Sequence, residues 1–260
     1  MLRIVLSAAL LLSWTSSSSL DSAADIGLQR VADAWGSKSE LDNAAVPAQT
    51  ATEQPLVIVG IADGVNKKQG HALTWALKRT LDASVEWKNI EIGVEAERLF
   101  ATAQCPEMPD EACLTRMAKK LNLTRFVWGS LSLRHGRVTA QLGIFDREAT
   151  IATAMLEYNA NMIDTFDEDL LRLANNGLMQ LLGPIHFPVL IRSREPKGSI
   201  VVDDVVVGQL NEGVANLAAT AGDHHFRLVL PDSTVIARSF QVRVEAHNHI
   251  RLDFINIPET

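Results

Sequence analysis

Several groups of side chains in this sequence have types and spacings that bear on chemistry. His224-His225 and His247-x-His249 are the first. Residues i and i+2 of a strand share a face, so His247 and His249 can both reach one metal ion. No cysteine or acidic third ligand stands beside them, and histidines on an exposed or edge strand are the plainer reading. Asp164, Asp167, Glu168 and Asp169 gather at the start of a helical pattern. They suit a cation, but acids there also complement the helix dipole, which needs no ligand. Ser193 and Ser199, with the nearby histidines, suggest a nucleophile and base, yet no G-x-S-x-G elbow is present. H-E-x-x-H, G-x-G-x-x-G and a phosphate loop are also absent; Gly60-x-x-x-Gly64 follows an apolar strand but lacks the G-K-[ST] that would hold phosphate. Trp75, Trp87 and Trp128 would stack on sugar if exposed. Trp128 lies in an apolar strand and is expected in the core, and the core reading is preferred for the set. No catalytic residue, metal ligand or cofactor site is assigned, and the chain is expected not to be an enzyme.

The remaining pair is Cys105 and Cys113, the only cysteines in the chain. They are expected to form a disulfide if the compartment is oxidising. Pro106 and Pro109 between them favour a turn that brings the two Cα atoms within bonding range. A metal or redox pair is the rival reading, but it would suit C-x-x-C spacing, and here seven residues intervene. Directly after this loop, Leu114, Met117, Ala118 and Leu121 recur at i, i+3, i+4 and i+7, one apolar face of a helix. Asp110 is its expected N-cap, and Lys119 and Lys120 suit its last turn. Phe126-Val127-Trp128-Gly129 then reads as a core strand.

The N-terminus bears on compartment. Arg3 precedes the apolar run Ile4–Trp14, which is too short to span a bilayer, and a small polar stretch, Thr15–Ser19, follows. The pattern predicts a signal peptide over about residues 1–22, with Ser17 and Ser19, or Ser22 and Ala24, flanking the cleavage site. An uncleaved anchor is the alternative. A secreted, periplasmic location is therefore expected. Residues 23–53, rich in Ala, Ser, Asp and Gln, read as a flexible linker. The chain has 260 residues, 47% hydrophobic, with a net charge of −7. That is enough apolar material for real cores, and the acidic balance argues against nucleic acid as a partner.

From Pro55 the periodicities alternate. Leu56–Ala62 suits a strand buried on both faces. Lys67–Asp82 is helical, Val85–Ile92 a strand, and Val94–Ala103 a short helix. After the cysteine loop and the helix over 110–121, Arg125–Leu133, Arg137–Asp146 and Thr150–Asn159 form a meander, with His135-Gly136 as a two-residue hairpin turn. Asp164–Leu182 is an amphipathic helix with Phe166, Leu170, Leu173, Ala174 and Leu181 inward, stopped by Gly183-Pro184. Beyond Pro188 helical periodicity vanishes, and short β-rich runs separated by turns suggest a small sandwich. The expected class is α+β: an N-terminal α/β domain with a mixed sheet over 54–184, then an all-β sandwich over 188–257.

Two resemblances sharpen this. The run C-x₇-C-L-x₂-M-A-x₂-L-x₄-F-V-W-G-x-L, followed by L-G-I-F-D, resembles the N-terminal α/β domain of TolB and the related domains of CsgG-like and LpoB-like envelope proteins. Asn122-Leu123-Thr124 departs from the small acidic turn usual there. The second region is similar to PEGA domains, small envelope β-sandwiches. Pro196-Lys197-Gly198-Ser199 stands at their Pro-Glu-Gly-Ala motif, Val202–Gly208 at a hairpin where Asp204 replaces the usual Gly, and Ala221-Gly222-Asp223-His224 at a later turn. The resemblances imply a non-enzymatic cell-envelope protein whose partners are envelope proteins. The alternative is a protein that binds peptidoglycan or another surface polysaccharide.

Overall fold

The structure is a computed structural model. It describes residues 54–62, 67–92, 96–106, 109–147 and 149–253, all within one compact unit, Thr50–Thr260. The expected signal peptide and linker lie outside the described residues.

The first half builds a five-stranded sheet in the order β2-β1-β3-β4-β5. Its strands are β1 (Gln54–Ala62), β2 (Trp87–Asn89), β3 (Arg125–Arg134), β4 (Arg137–Asp146) and β5 (Ala149–Asn159). β1 runs parallel to β2 and β3, whereas β3, β4 and β5 form an antiparallel meander. The sheet is therefore mixed, as alternating helical and strand patterns followed by hairpin signals require. His135 and Gly136 both take positive φ, 50° and 76°, the turn that suits right-handed strand twist. In β1 the register shifts between Ile58 and Gly60, where Gly60 adopts φ 113°. This bulge puts Leu56, Ile58 and Ile61 on one face despite their uneven spacing.

Four helices flank the sheet: α1 (Lys67–Ala83), α2 (Ala96–Thr102), α3 (Glu111–Leu121) and α4 (Glu168–Leu182). α1 and α4 share a core with one face, represented by Val127, Val138, Ala140, Leu142, Ile144 and Leu156. α2 and α3 share a smaller core with the other face, through Val57, Val59, Phe126, Trp128 and Phe145. The rings of Phe126 and Phe145 stack 5.1 Å apart. A Cβ at Gly143 would sit 2.5 Å from the Trp128 indole, so this position admits only glycine while the indole stays in place.

Two expected boundaries move. The strand expected over Val85–Ile92 narrows to Trp87–Asn89, because Val85 donates to the His186 carbonyl at 3.0 Å and Glu86 turns its carboxylate to His186. The helix expected from Asp164 begins at Glu168. Asp164 Oδ1 accepts from the Phe166 N–H at 2.9 Å, closing a local turn, and Asp167 is the N-cap, accepting from Asp169 and Leu170. Phe166 therefore precedes the helix and points outward, 67% exposed, rather than inward as its spacing suggested.

The second half is a seven-stranded sheet, order β11-β10-β7-β8-β9-β6-β12. The strands are β6 (His186–Arg192), β7 (Lys197–Val202), β8 (Val205–Asn211), β9 (Val214–Thr220), β10 (Gly222–Val229), β11 (Val235–Val242) and β12 (Asn248–Arg251). β8 and β9 pair only at Asn211 with Val214. The sheet folds over at that hairpin, bringing Ile200, Phe226 and Leu228 into one core with Phe187, Val189, Ile191 and Ile250. Asp203 and Asp204 both take positive φ, 48° and 70°, so Asp supplies the turn where a glycine would be easiest. The same apolar cluster includes Ile185 and the residues of α1 and α4, so it continues from the first sheet into the second. The class is α+β, and no helix among the described residues is long and apolar enough to cross a membrane.

Candidate functional site

His224 and His225 on β10 are engaged by neighbouring strands and turns. His224 Nδ1 lies 2.6 Å from Asp203 Oδ2, and its Nε2 lies 2.8 Å from the Thr220 carbonyl. Its chain neighbour His225 faces the opposite side of β10, where Nδ1 lies 2.9 Å from Ser239 Oγ, while its backbone N–H donates to Asp203 Oδ1 at 2.8 Å. That backbone bond first, and the His224 ring second, hold the Asp203 carboxyl below its usual range. The carboxylate thus fastens the β7–β8 turn to β10. His247 and His249 are both exposed, with ring centroids 6.3 Å apart. No group of three or more His, Cys, Asp or Glu side chains placed to hold a metal occurs among the described residues.

The acidic cluster is divided among structural tasks. Asp164 and Asp167 cap turns, Asp169 pairs with Arg172 at 2.7 Å, and Glu168 pairs with Arg243 at 3.2 Å. Ser193 Oγ accepts from the Glu195 N–H, and Ser199 sits in the β7 ladder. Gly60 serves the β1 bulge. Trp128 and Trp87 are buried, the latter beneath the Arg125 guanidinium, whereas Trp75 on α1 is 46% exposed. Cys105 and Cys113 are joined by a disulfide, with Cα atoms 5.4 Å apart.

Two features were not evident from sequence patterns. One is the tip of the β7–β8 hairpin. Val205, Val206 and Val207 are 61%, 67% and 41% exposed. Because β8 meets β9 only at Asn211, the β8 backbone from Val205 to Leu210 has, among the described residues, a ladder partner on the β7 side alone. Three consecutive apolar side chains on a strand with one free edge are the features that other chains pair with.

The other feature is a cleft of about 590 Å³ where the N-terminal half of α4 faces β11 and the segment after it. Arg79 of α1, Phe166, Asn175 of α4 and Glu245 are among the residues that line it. The Arg79 guanidinium lies 4.9 Å from the centre of the Phe166 ring. Its Nη1 is closed off from solvent and has no hydrogen-bond partner. Asn175 is 2% exposed; its Nδ2 meets the Met179 sulfur at 3.3 Å, and its Oδ1 is unpartnered. Asn248, equally buried, shows how the fold completes such a group elsewhere. Its Oδ1 accepts from Arg243 at 2.8 Å, and its Nδ2 donates to the Pro188 and Arg243 carbonyls. Asn175 falls within the apolar stripe Leu171, Ala174, Leu178 of α4. That is the one sequence signal that marks the cleft.

No family model and no curated protein matches the chain. Among solved structures it is similar to the PelC dodecamer from Paraburkholderia phytofirmans, with 14% identity over 52% of this chain and 91% of that one, at a TM-score of 0.32. The C-terminal domain of LpoB from Salmonella enterica is 12% identical over 46% of this chain and 90% of that one, TM-score 0.29. TolB from Acinetobacter baumannii is 10% identical over 73% of this chain and 50% of that one, TM-score 0.33.

Proposed function

We propose that this chain is a non-enzymatic interaction module of the cell envelope, periplasmic after removal of its N-terminal segment, which docks a partner protein by strand addition on β8. The observation that carries the reading is the exposed Val205-Val206-Val207 run on a strand edge with one open side. Backbone groups on such an edge supply affinity to an extended segment, and alternate valines supply apolar contact. The N-terminal apolar run and the PEGA-like texture of the second half agree with an extracytoplasmic setting. The test is site-specific photo-crosslinking from position 205 in the native envelope, with and without Val206→Lys. A discrete adduct that disappears in Val206→Lys supports the reading. Equal capture by Val206→Lys, or no adduct, sinks it.

The exposed indole of Trp75 favours a second reading, binding of cell-wall glycan. Co-sedimentation with purified peptidoglycan that is lost in Trp75→Ala would support it.

A further inference from the structure

Among the described residues, Arg79 is the one cation of the cleft with no ion pair, and its Nη1 has no hydrogen-bond partner. Arg172 is taken by Asp169 and Arg243 by Glu168, so two of the nearby carboxylates are engaged elsewhere. Arg79 is half-buried, and its guanidinium lies over the face of Phe166. A guanidinium removed from water without an anion is costly, and its planar fork suits a carboxylate. Asn175 Oδ1, in the same cleft, is a buried acceptor that lacks a donor. A buried acceptor left open destabilises the fold until a donor reaches it. The two orphans are complementary in kind, one awaiting an acceptor with negative charge and the other a donor.

We propose that the cleft binds a small molecule carrying an α-carboxylate beside an N–H group, with the carboxylate on Arg79 and the N–H donating to Asn175 Oδ1. A volume of about 590 Å³ is within the roughly 300–1,000 Å³ range of small-ligand sites and accommodates a group of that size. Phe166 is the cover. It stands on the turn before α4, mostly in solvent, so rotating its side chain uncovers the guanidinium at little cost in buried area. The same chemistry occurs in a free amino acid and at the C-terminus of a peptide. This site is separate from the β8 edge, and neither depends on the other.

The test is an NMR titration of the mature protein at pH 7, following the Asn175 side-chain NH2 and Arg79 Nε–H signals. The probes are alanine, N-acetylalanine and N-acetylalaninamide. Saturable shifts of both signals with alanine or N-acetylalanine, but not with the amide, are expected. Tighter binding of N-acetylalanine assigns the site to a peptide terminus, and tighter binding of alanine to a free amino acid. Arg79→Met should weaken binding at least tenfold while the remaining spectrum is unchanged, and Arg79→Lys should restore part of it. Unmoved cleft signals, equal response to the amide, or full binding by Arg79→Met would overturn the proposal.

Discussion

The two faces of the five-stranded sheet are finished differently. On one, the 17-residue α1 and 15-residue α4 lie over long rows of Leu, Ile, Val and Ala, and that core runs on through Ile185 and Phe187 into the seven-stranded sheet. On the other, the 7-residue α2 and 11-residue α3 cover a much smaller set centred on Phe126, Trp128 and Phe145. Helices this short bury little surface and have weak intrinsic stability. This layer is instead fastened at its ends. Asp110 caps α3 by accepting from the Cys113 N–H at 2.7 Å, and Asn122 closes it in a left-handed conformation with φ 52°. Arg116 and Lys120 donate to the Ala103 and Thr102 carbonyls at the end of α2, at 3.1 and 2.8 Å. The disulfide ties the connecting loop to α3. Area holds one face, and covalent and polar fastening holds the other.

This contrast can be tested by attacking each side. Phe226→Ala, in the extensive core, should cost about 3–5 kcal/mol, because removing a fully buried ring leaves a cavity that its close-packed neighbours cannot fill. Thermal or urea denaturation measures it, and a loss below about 1 kcal/mol would mean that this core is not close-packed.

Removing the fastening should do less. Cys113→Ser should cost about 2–3 kcal/mol through the unfolded chain, and only relative to the oxidised protein. Mass spectrometry of non-reduced, alkylated protein from its native compartment checks the bond itself. Two alkylated thiols there would remove the disulfide from the account of the smaller layer. The Phe226 variant should lose stability equally in reducing and oxidising buffer, and that difference in redox dependence separates the two kinds of layer.

The smallest effect tests polar fastening just after β12, in the seven-stranded sheet. Asp253 is buried, which pushes its carboxyl pKa up. The Arg194 N–H at 2.7 Å and the Arg251 guanidinium outweigh that burial and hold it below the usual range. A carboxyl whose folded pKa is depressed adds stability above its unfolded value of about 3.9 and loses it as pH falls through the folded value. Asp253→Asn should therefore lower Tm by a few degrees at pH 7. The gap from the parent protein should close as pH falls below about 4. A gap independent of pH would mean that packing, not charge, is what Asp253 provides.

Most of the architecture was legible because it is written in short-range periodicity. Val138, Ala140, Leu142 and Ile144 alternate cleanly, and every one of them is buried. The His135-Gly136 turn and the Asp110 cap depend on neighbours within four residues, so local chemistry is enough to place them. The errors have physical causes of a different range. Phe166 has helical spacing, but two aspartates compete to start the helix, and the later one wins because Asp164 is engaged by a turn. Trp87–Asn89 is short because residues 85 and 86 are claimed by His186, about a hundred positions away. The cleft was hidden for the same reason. Arg79 and Glu245 look ordinary in the sequence, Asn175 is marked only by its place in an apolar stripe, and only the fold brings the three to one cleft. The free edge of β8 was equally invisible, since strand periodicity does not reveal which neighbours a strand will lack.

The pairing of β12 with β6 has a mechanical consequence. β12 lies beside the strand that enters from the first sheet and runs parallel to it, from Asn248 with Val189 to Arg251 with Arg192. Tension applied between the start of β6 and the end of β12 would pull these two strands along their length in opposite directions. The hydrogen bonds of the ladder would then bear the load together, in shear, instead of opening one after another like a zip. Force transmitted through the chain would meet a clamp at this pair, whereas the same force across the ends of the β7–β8 hairpin would open it pair by pair from Lys197 and Asn211 toward the turn.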